Sequence, residues 1–177
     1  DNYNFQEGYG IQLSVNSIKL LNNVGFKNIP ASDVSFPSKV NFIQANNSKK
    51  ICDIDLTQFN DPFNRYTTLK RSILLEFLFK NVPDNQIRFN SNITKIEKAN
   101  GFRITLDENT HEEFDYLIIA DGIFSKLRPK DIKPIYSGYS AIRGFFISES
   151  QNSEIDLFMG KHFHLVKYPT DKNKNNS

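Results

Sequence analysis

Two stretches of the chain carry apolar residues at the spacing of an α-helix. The first follows a glycine-bracketed loop and predicts a helix over residues 14–25 that ends at Gly25. The second predicts a helix over residues 69–80, with Thr68 as its N-cap and Pro83 as the residue that ends it. Each helix has one apolar face, which must pack against another element.

Alternating apolar and polar positions predict strands between and after these helices. Residues 34–56 predict a β-hairpin or meander around a polar turn at 46–48. After the second helix, the same alternation predicts three short strands, over residues 87–89, 93–97 and 102–106. Asn100 and Gly101 have the composition of a tight hairpin turn between the last two.

Residues 116–120 form a short, nearly unbroken apolar run that ends at Asp121 and Gly122. Such a run predicts a strand buried on both faces, as in a parallel sheet. Parallel sheets carry their chemistry just beyond the carboxyl ends of their strands, where Gly lets the backbone turn and Asp supplies a carboxylate. Because Asp-Gly is also a common surface turn, the pattern alone leaves a ligand site and a plain turn open. Further on, residues 136–146 predict an aromatic-rich strand region.

Charge balance and cysteine content narrow the class of protein. The chain has 22 Lys and Arg residues against 20 Asp and Glu residues, and this net charge of +2 disfavours a dedicated nucleic-acid or anionic-membrane binder. Cys52 is the only cysteine, so an intramolecular disulfide is excluded and a reducing cytoplasm is the expected compartment. No apolar run approaches the ~20 residues of a membrane span. The length of 177 residues suits one domain with an ordinary core.

Two further groups of side chains are candidates for a metal site and for a pocket. His162 and His164 have the spacing to share one face of a strand, but no cysteine lies nearby in sequence, so a structural role is favoured over a metal pair. Four phenylalanines could line a pocket or form plain core: Phe36, Phe42, Phe59 and Phe63.

Several segments together resemble the FAD-dependent aromatic hydroxylases, also called class A flavoprotein monooxygenases. The segment IIADGIFSKLR, residues 118–128, resembles the second flavin fingerprint of that family. Residues 7–25 resemble its Gly-Ala-Gly-Ile loop and the helix that follows, and residues 69–78 resemble its Arg-led helix. Residues 136–146 and 162–169 are similar to segments of the salicylate hydroxylase and zeaxanthin epoxidase branch.

The resemblance implies an α/β fold. It predicts a partial FAD-binding, Rossmann-like three-layer domain over residues 1–135, with β-sheet insertions at about 34–60 and 86–110. Residues 136–177 then begin a mixed-sheet substrate domain. The family's first fingerprint, G-x-G-x-x-G, and its later Gly-Asp segment have no counterpart in the chain, which is therefore expected to be a central fragment of a longer enzyme.

The function implied by the resemblance is FAD-dependent monooxygenation driven by NADPH or NADH. In that family, reduced flavin and O₂ give a C4a-hydroperoxide, which hydroxylates or epoxidises an aromatic or isoprenoid-type substrate. The resemblance assigns FAD binding to five positions: Gly10, Ile11, Arg71, Asp121 and Gly122. Arg143 is expected either to face the substrate or to be a surface arginine, and no side chain is assigned as a catalytic acid or base.

Two alternatives stay open at the level of sequence. One is a flavoprotein of the same fold with different chemistry, such as a halogenase or a polyprenyl reductase. The other is a catalytically inert fragment or binding module. The expected location is the cytoplasm, or the periphery of a membrane if the substrate is a lipid-linked phenol, as for a ubiquinone-biosynthesis hydroxylase.

Overall fold

The computed structural model describes residues 9–107, 110–129, 131–148, 153–172 and 175–176. The chain divides into two compact units. The first consists of the described parts of Asp1–Val82 and Ile142–Ser177, and the second lies within Pro83–Ala141. The combination of helices with several sheets confirms the predicted α/β class. The domain boundary near residue 135 stays a prediction.

The secondary-structure elements of the described ranges are numbered in chain order. The helices are α1 (Val15–Asn22) and α2 (Arg71–Lys80), and short 3-10 turns cover Phe26–Asn28, Thr57–Phe59 and Asp84–Gln86. The strands are β1 (Gly10–Leu13), β2 (Val34–Ser35), β3 (Lys39–Gln44), β4 (Lys50–Asp55), β5 (Thr67–Lys70), β6 (Ile93–Lys98), β7 (Phe102–Leu106), β8 (His111–Phe114), β9 (Phe146–Ile147), β10 (Ile155–Met159), β11 (His164–Lys167) and β12 (Asn175–Asn176).

A three-stranded antiparallel sheet in the first unit has the order β1-β5-β2 and packs against both helices. Its central strand contributes Leu69, which is 0% exposed. Leu69 lies in one apolar cluster with Ile18 of α1, Phe26 and Val34. Helix α2 adds three partly buried side chains to the cluster: Ile73, Leu74 and Phe77. This packing confirms the first predicted helix and its apolar face, although α1 ends at Asn22 and not at Gly25.

The second predicted helix begins later than its apolar pattern indicated. Helix α2 starts at Arg71, whereas Thr68 and Leu69 belong to β5, so the predicted cap at Thr68 is wrong. Thr67 and Thr68 are buried, and β5 is paired with a strand on each side. Since β-branched residues suit a paired strand, this long-range pairing outweighs the local capping preference of threonine. Lys70 takes the N-cap position and makes no side-chain capping bond.

The buried hydroxyl of Thr68 donates a hydrogen bond to the carbonyl oxygen of Pro169 at 2.5 Å. The substitution Thr68→Val keeps the side-chain shape and removes this donor. We expect it to lower the free energy of unfolding by about 1–3 kcal/mol, the cost of a buried polar group that loses its partner. Urea denaturation followed by circular dichroism measures the loss. Thr57→Val is the matched control, since the Thr57 hydroxyl bonds at an exposed site. A loss no larger than that of the control would contradict the prediction.

The other large sheet of the first unit has the order β11-β10-β3-β4. Strands β3 and β4 are antiparallel and are joined by a turn in which Ser48 has a φ of 57°, which confirms the predicted meander. Strand β10 is parallel to β3, with Ile155 opposite Val40. Ile155 also lies in a second apolar cluster, with Leu56 and Tyr168. Cys52 is an exposed residue of β4.

The second unit contains an antiparallel meander in the order β6-β7-β8. It confirms two of the three predicted strands and the turn at Gly101, where a Cβ atom would lie 2.5 Å from the Phe114 carbonyl oxygen. Residues 87–89 form no strand. Strand β8 was not predicted because its sequence is mostly charged. Its Glu113 carboxylate pairs instead with Arg103 across the sheet, at 2.6 Å.

Residues 116–120 form no strand, so the predicted buried strand is wrong. Tyr116 is 88% exposed and Ile118 is 90% exposed. A strand requires a hydrogen-bonded neighbour, and no described segment pairs with these residues. Residues 136–145, which were also predicted as strand, form no strand either. Pairing begins at Phe146–Ile147, which pairs with β12.

Candidate functional site

The pairing of β1 with β5 brings three of the predicted cofactor residues together. Gly10 lies opposite Lys70 and Ile11 lies opposite Leu69 in the antiparallel register. The backbone N–H of Arg71 donates to the carbonyl oxygen of Tyr9 at 2.9 Å, which extends the pairing to the start of α2. The glycine-bracketed loop and the start of the arginine-led helix are therefore adjacent in space.

The Arg71 side chain is exposed at the first residue of α2. Its guanidinium has neither an ion pair nor a hydrogen bond to any described residue, and the first turn of the helix contains no acidic residue. A guanidinium and the unpaired N–H groups of a helix start both attract anionic oxygen. This corner of the first unit can therefore bind a phosphate or a similar anion.

Four neighbouring side chains of this corner were not predicted as site residues from the sequence. The Lys70 ammonium lies 3.2 Å from the Asp171 carboxylate and 5.9 Å from the ring centre of Phe145. The Tyr9 ring stacks on Phe145, with ring centres 6.4 Å apart. In the sequence, the one signal for these side chains was the pair Lys70-Arg71 at the end of β5. The contact between Lys70 and Phe145 joins residues far apart in the chain, so no local pattern predicts it. Arg143, two residues before Phe145 in the sequence, is exposed in an irregular segment.

Asp121 and Gly122 lie in a turn of the second unit. The Ser125 hydroxyl donates to the Asp121 carboxylate at 2.8 Å, and the Ser125 N–H donates to the Gly122 carbonyl at 3.2 Å. The Arg128 guanidinium donates to the carbonyl oxygens of Gly122 and Ile123. Gly122 has a φ of 84°, and no described atom would contact a side chain there. The turn that the Asp-Gly pair predicted is confirmed, and its role in cofactor binding stays a prediction.

The predicted site residues are thus divided between the two units. Gly10, Ile11, Arg71 and Arg143 lie in the first, whereas Asp121 and Gly122 lie in the second. Of the two histidines considered for a metal pair, His164 begins β11 and His162 lies outside it. Among the described residues, no three His, Cys, Asp or Glu side chains are grouped as ligands of a metal ion. Within the same ranges, no helix has the length and apolar character needed to cross a bilayer.

A cavity lies beside α1 in the first unit, and we call it the α1 cleft. Its volume is about 200 Å³, and it adjoins a more open hollow of about 410 Å³. The cleft is lined by apolar, cationic and amide side chains: Ile18, Asn22, Phe26, Lys27, Ile29, Val34, Phe36, Pro62, Phe63, Arg65 and Thr67. Two of the four phenylalanines considered for a pocket, Phe36 and Phe63, therefore line one.

Solved structures of flavin hydroxylases are similar to this chain in fold. The HpxO protein of Klebsiella pneumoniae, whose crystal structure contains FAD and uric acid, matches with a TM-score of 0.75 at 16% identity, over 96% of this chain and 46% of that one. The 2,6-dihydroxypyridine-3-hydroxylase of Arthrobacter nicotinovorans matches with a TM-score of 0.74 at 16% identity, over 96% and 45%.

Sequence comparison finds relatives among the monooxygenases. The 3-amino-4-hydroxybenzoate 2-monooxygenase PtmB3 of Streptomyces platensis is 23% identical, over 92% of this chain and 43% of that protein. The monooxygenase asqM of Emericella nidulans is 28% identical, over 63% of this chain and 29% of that protein. The chain thus spans less than half the length of these relatives, and no family model matches it. The predicted resemblance is confirmed.

Proposed function

We propose that this chain is part of a FAD-dependent monooxygenase that uses NADPH or NADH and O₂ to oxidise a small aromatic compound. The observation that carries the proposal is the Arg71 guanidinium, which has no partner among the described residues and stands at a helix start beside Gly10 and Ile11. The likeness in fold to flavin hydroxylases and the monooxygenase relatives support the same reading.

The residues of the chain fit a dinucleotide of this kind. Arg71 and the N–H groups of α2 would bind a phosphate or ribose oxygen. Gly10 and Ile11 would lie along the flavin, where the absence of a side chain at Gly10 permits close approach of the backbone. In the second unit, the Asp121 carboxylate is a candidate acceptor for a hydroxyl donor, and no described atom crowds the backbone of Gly122. When bound, the flavin supplies the redox chemistry with O₂ and reduced nicotinamide.

An aromatic substrate is favoured over an isoprenoid-type one. The names of two relatives specify single-ring aromatic compounds, 3-amino-4-hydroxybenzoate and 2,6-dihydroxypyridine. In this chain, Arg143 would orient an acidic or phenolic group of such a substrate, since a guanidinium pairs well with a carboxylate. The single cysteine, exposed Cys52, supports a reducing compartment such as the cytoplasm.

The proposal is tested on the purified full-length reading frame. We expect the protein to show the visible absorption of oxidised flavin, as purified or after addition of FAD. NADPH or NADH should bleach this absorption, faster with 3-amino-4-hydroxybenzoate present as a probe, and ¹⁸O from O₂ should enter the product. A protein that binds no FAD would contradict the proposal and support a binding module. Bleaching without transfer of oxygen to any aromatic probe would point to a reductase of the same fold.

A further inference from the structure

The α1 cleft has apolar side chains on one side, which we call its floor. On the other side lies the segment 60–66, which we call its lip and which contributes Pro62, Phe63 and Arg65 to the lining. Ile18, Phe26 and Val34 of the floor belong to the main apolar cluster, so the surrounding packing fixes their positions. The volume of about 200 Å³ exceeds the roughly 150 Å³ of a protein cavity that accepts benzene. The cleft is therefore large enough for one aromatic ring with small substituents.

Hydrogen bonds hold the lip in one conformation. The Asp61 carboxylate accepts the backbone N–H of Phe63 at 2.8 Å and that of Asn64 at 2.7 Å. The Asn64 side-chain amide also donates to Asp61, and this bond together with the Phe63 N–H holds the pKa of Asp61 below its ordinary value. At the far end of the lip, the Tyr66 N–H donates to the Asn60 side chain at 2.8 Å. The cleft is preformed, so a ligand need not order this loop.

Asn22, one of the residues that line the cleft, carries an unsatisfied acceptor. The side-chain amide nitrogen of Asn22 donates to the Phe63 carbonyl at 3.1 Å and to the Asn64 side-chain oxygen at 3.0 Å. These bonds fix the orientation of the amide and leave the Asn22 Oδ1 atom buried with no partner among the described residues. A hydroxyl or amino group of a ligand can satisfy this acceptor, as an ordered water can.

Three cationic side chains line the α1 cleft and the adjoining hollow. Lys27 and Arg65 line the cleft, and Lys19 lines the adjoining hollow. None of the three forms an ion pair with a described residue, and the Arg65 guanidinium lies 5.7 Å from the ring centre of Phe36. These three cations outnumber Asp61, the one carboxylate of the lip. The rim therefore favours an anion.

We propose that the α1 cleft binds a single-ring aromatic acid that also carries a hydroxyl or amino donor. The ring packs on the apolar floor and against the phenylalanines, and the carboxylate pairs with Arg65 or Lys27. The donor group bonds to Asn22 Oδ1. The proposal does not rest on the flavin-dependent function, since none of these residues is among those assigned to the cofactor.

The chain contains no tryptophan, so a single introduced tryptophan reports on the cleft. Phe63→Trp places this reporter on the lip, at a side chain that is 84% exposed and tolerates the change. Flavin-free protein is titrated with 4-hydroxybenzoate, benzoate and phenol. We expect saturable change in emission with 4-hydroxybenzoate, and binding about tenfold weaker with benzoate, which lacks the donor, and with phenol, which lacks the carboxylate. Phe59→Trp, outside the cleft, is the matched control and should not respond.

Two substitutions in the Phe63→Trp background locate the ligand. Arg65→Gln should weaken binding of 4-hydroxybenzoate about tenfold, whereas Lys49→Gln, which removes a charge outside the cleft, should leave it unchanged. Asn22→Ala should remove the preference for 4-hydroxybenzoate over benzoate. No response at millimolar ligand, equal affinities for the three probes, or an unchanged affinity in Arg65→Gln would each overturn the proposal. Since the titration needs no flavin, a protein that fails to bind FAD would leave this result intact.

Discussion

Replacing Leu69 with alanine is expected to lower the free energy of unfolding of the first unit by about 2–5 kcal/mol. Leu69 is 0% exposed and lies at the centre of the β1-β5-β2 sheet, where it pairs with Ile11 on one side and Val34 on the other. Both neighbours are held by strand hydrogen bonds, so they cannot move in to fill the space that the substitution leaves. The residual cavity adds its cost to the lost apolar burial.

Urea denaturation followed by circular dichroism measures the effect of Leu69→Ala. The matched control is Leu20→Ala, because Leu20 belongs to the adjoining helix α1 but is 70% exposed. An exposed substitution of this kind should change the free energy of unfolding by no more than about 0.5 kcal/mol. If the two variants lost similar stability, the first unit would not depend on the cluster around Leu69.

The second large effect is expected on binding rather than on stability. Arg71→Gln should raise the dissociation constant of FAD about 10- to 100-fold in the full-length protein, because a hydrogen bond to a charged group contributes about 1.5–3 kcal/mol. The folded state should be unaffected, since the guanidinium forms no ion pair or hydrogen bond with a described residue. Quenching of flavin fluorescence on binding to flavin-free protein measures the constant.

Two variants separate the charge of Arg71 from its position. Arg71→Lys keeps the charge but loses the planar fork, so it should recover only part of the affinity. Lys80→Gln removes a cation from the opposite end of α2, where Lys80 pairs with Glu76 at 2.7 Å, and should leave FAD binding unchanged. An Arg71→Gln protein with normal affinity would show that this arginine is an ordinary solvated helix residue.

Local patterns in the sequence predicted the elements whose stability is local. Helix α1 was predicted from its helical spacing, although it ends at Asn22 and not at Gly25. The β6–β7 hairpin turns at Gly101, where a side chain would collide with the Phe114 carbonyl. By contrast, β5 was predicted as the start of a helix, because its strand character comes from pairing with β1 and β2, far away in sequence. No local pattern encodes that pairing.

The apolar run at residues 116–120 illustrates a different limit. Its apolar composition favours burial, but burial in a sheet also requires a neighbouring strand, and none is paired with it in the described part of the chain.

The candidate site also depends on pairing between distant segments, which the sequence does not show. The resemblance to a family indicated Gly10 and Arg71, whereas their adjacency through β1 and β5 became visible only in the fold. The unpaired oxygen of Asn22 is an atomic detail that residue types cannot reveal.

The parallel pairing of β10 with β3 has a consequence for biosynthesis. Ile155 lies opposite Val40, so more than half of the chain must leave the ribosome between the synthesis of one partner and that of the other. In the β6-β7-β8 meander, each strand pairs with the next one in the sequence. This meander can therefore form while the β11-β10-β3-β4 sheet still lacks the pairing of β10 with β3. During that interval β3 exposes a free edge, which is a site for aggregation in a nascent chain. Protection by a chaperone is therefore most needed before the strand that begins at Ile155 emerges.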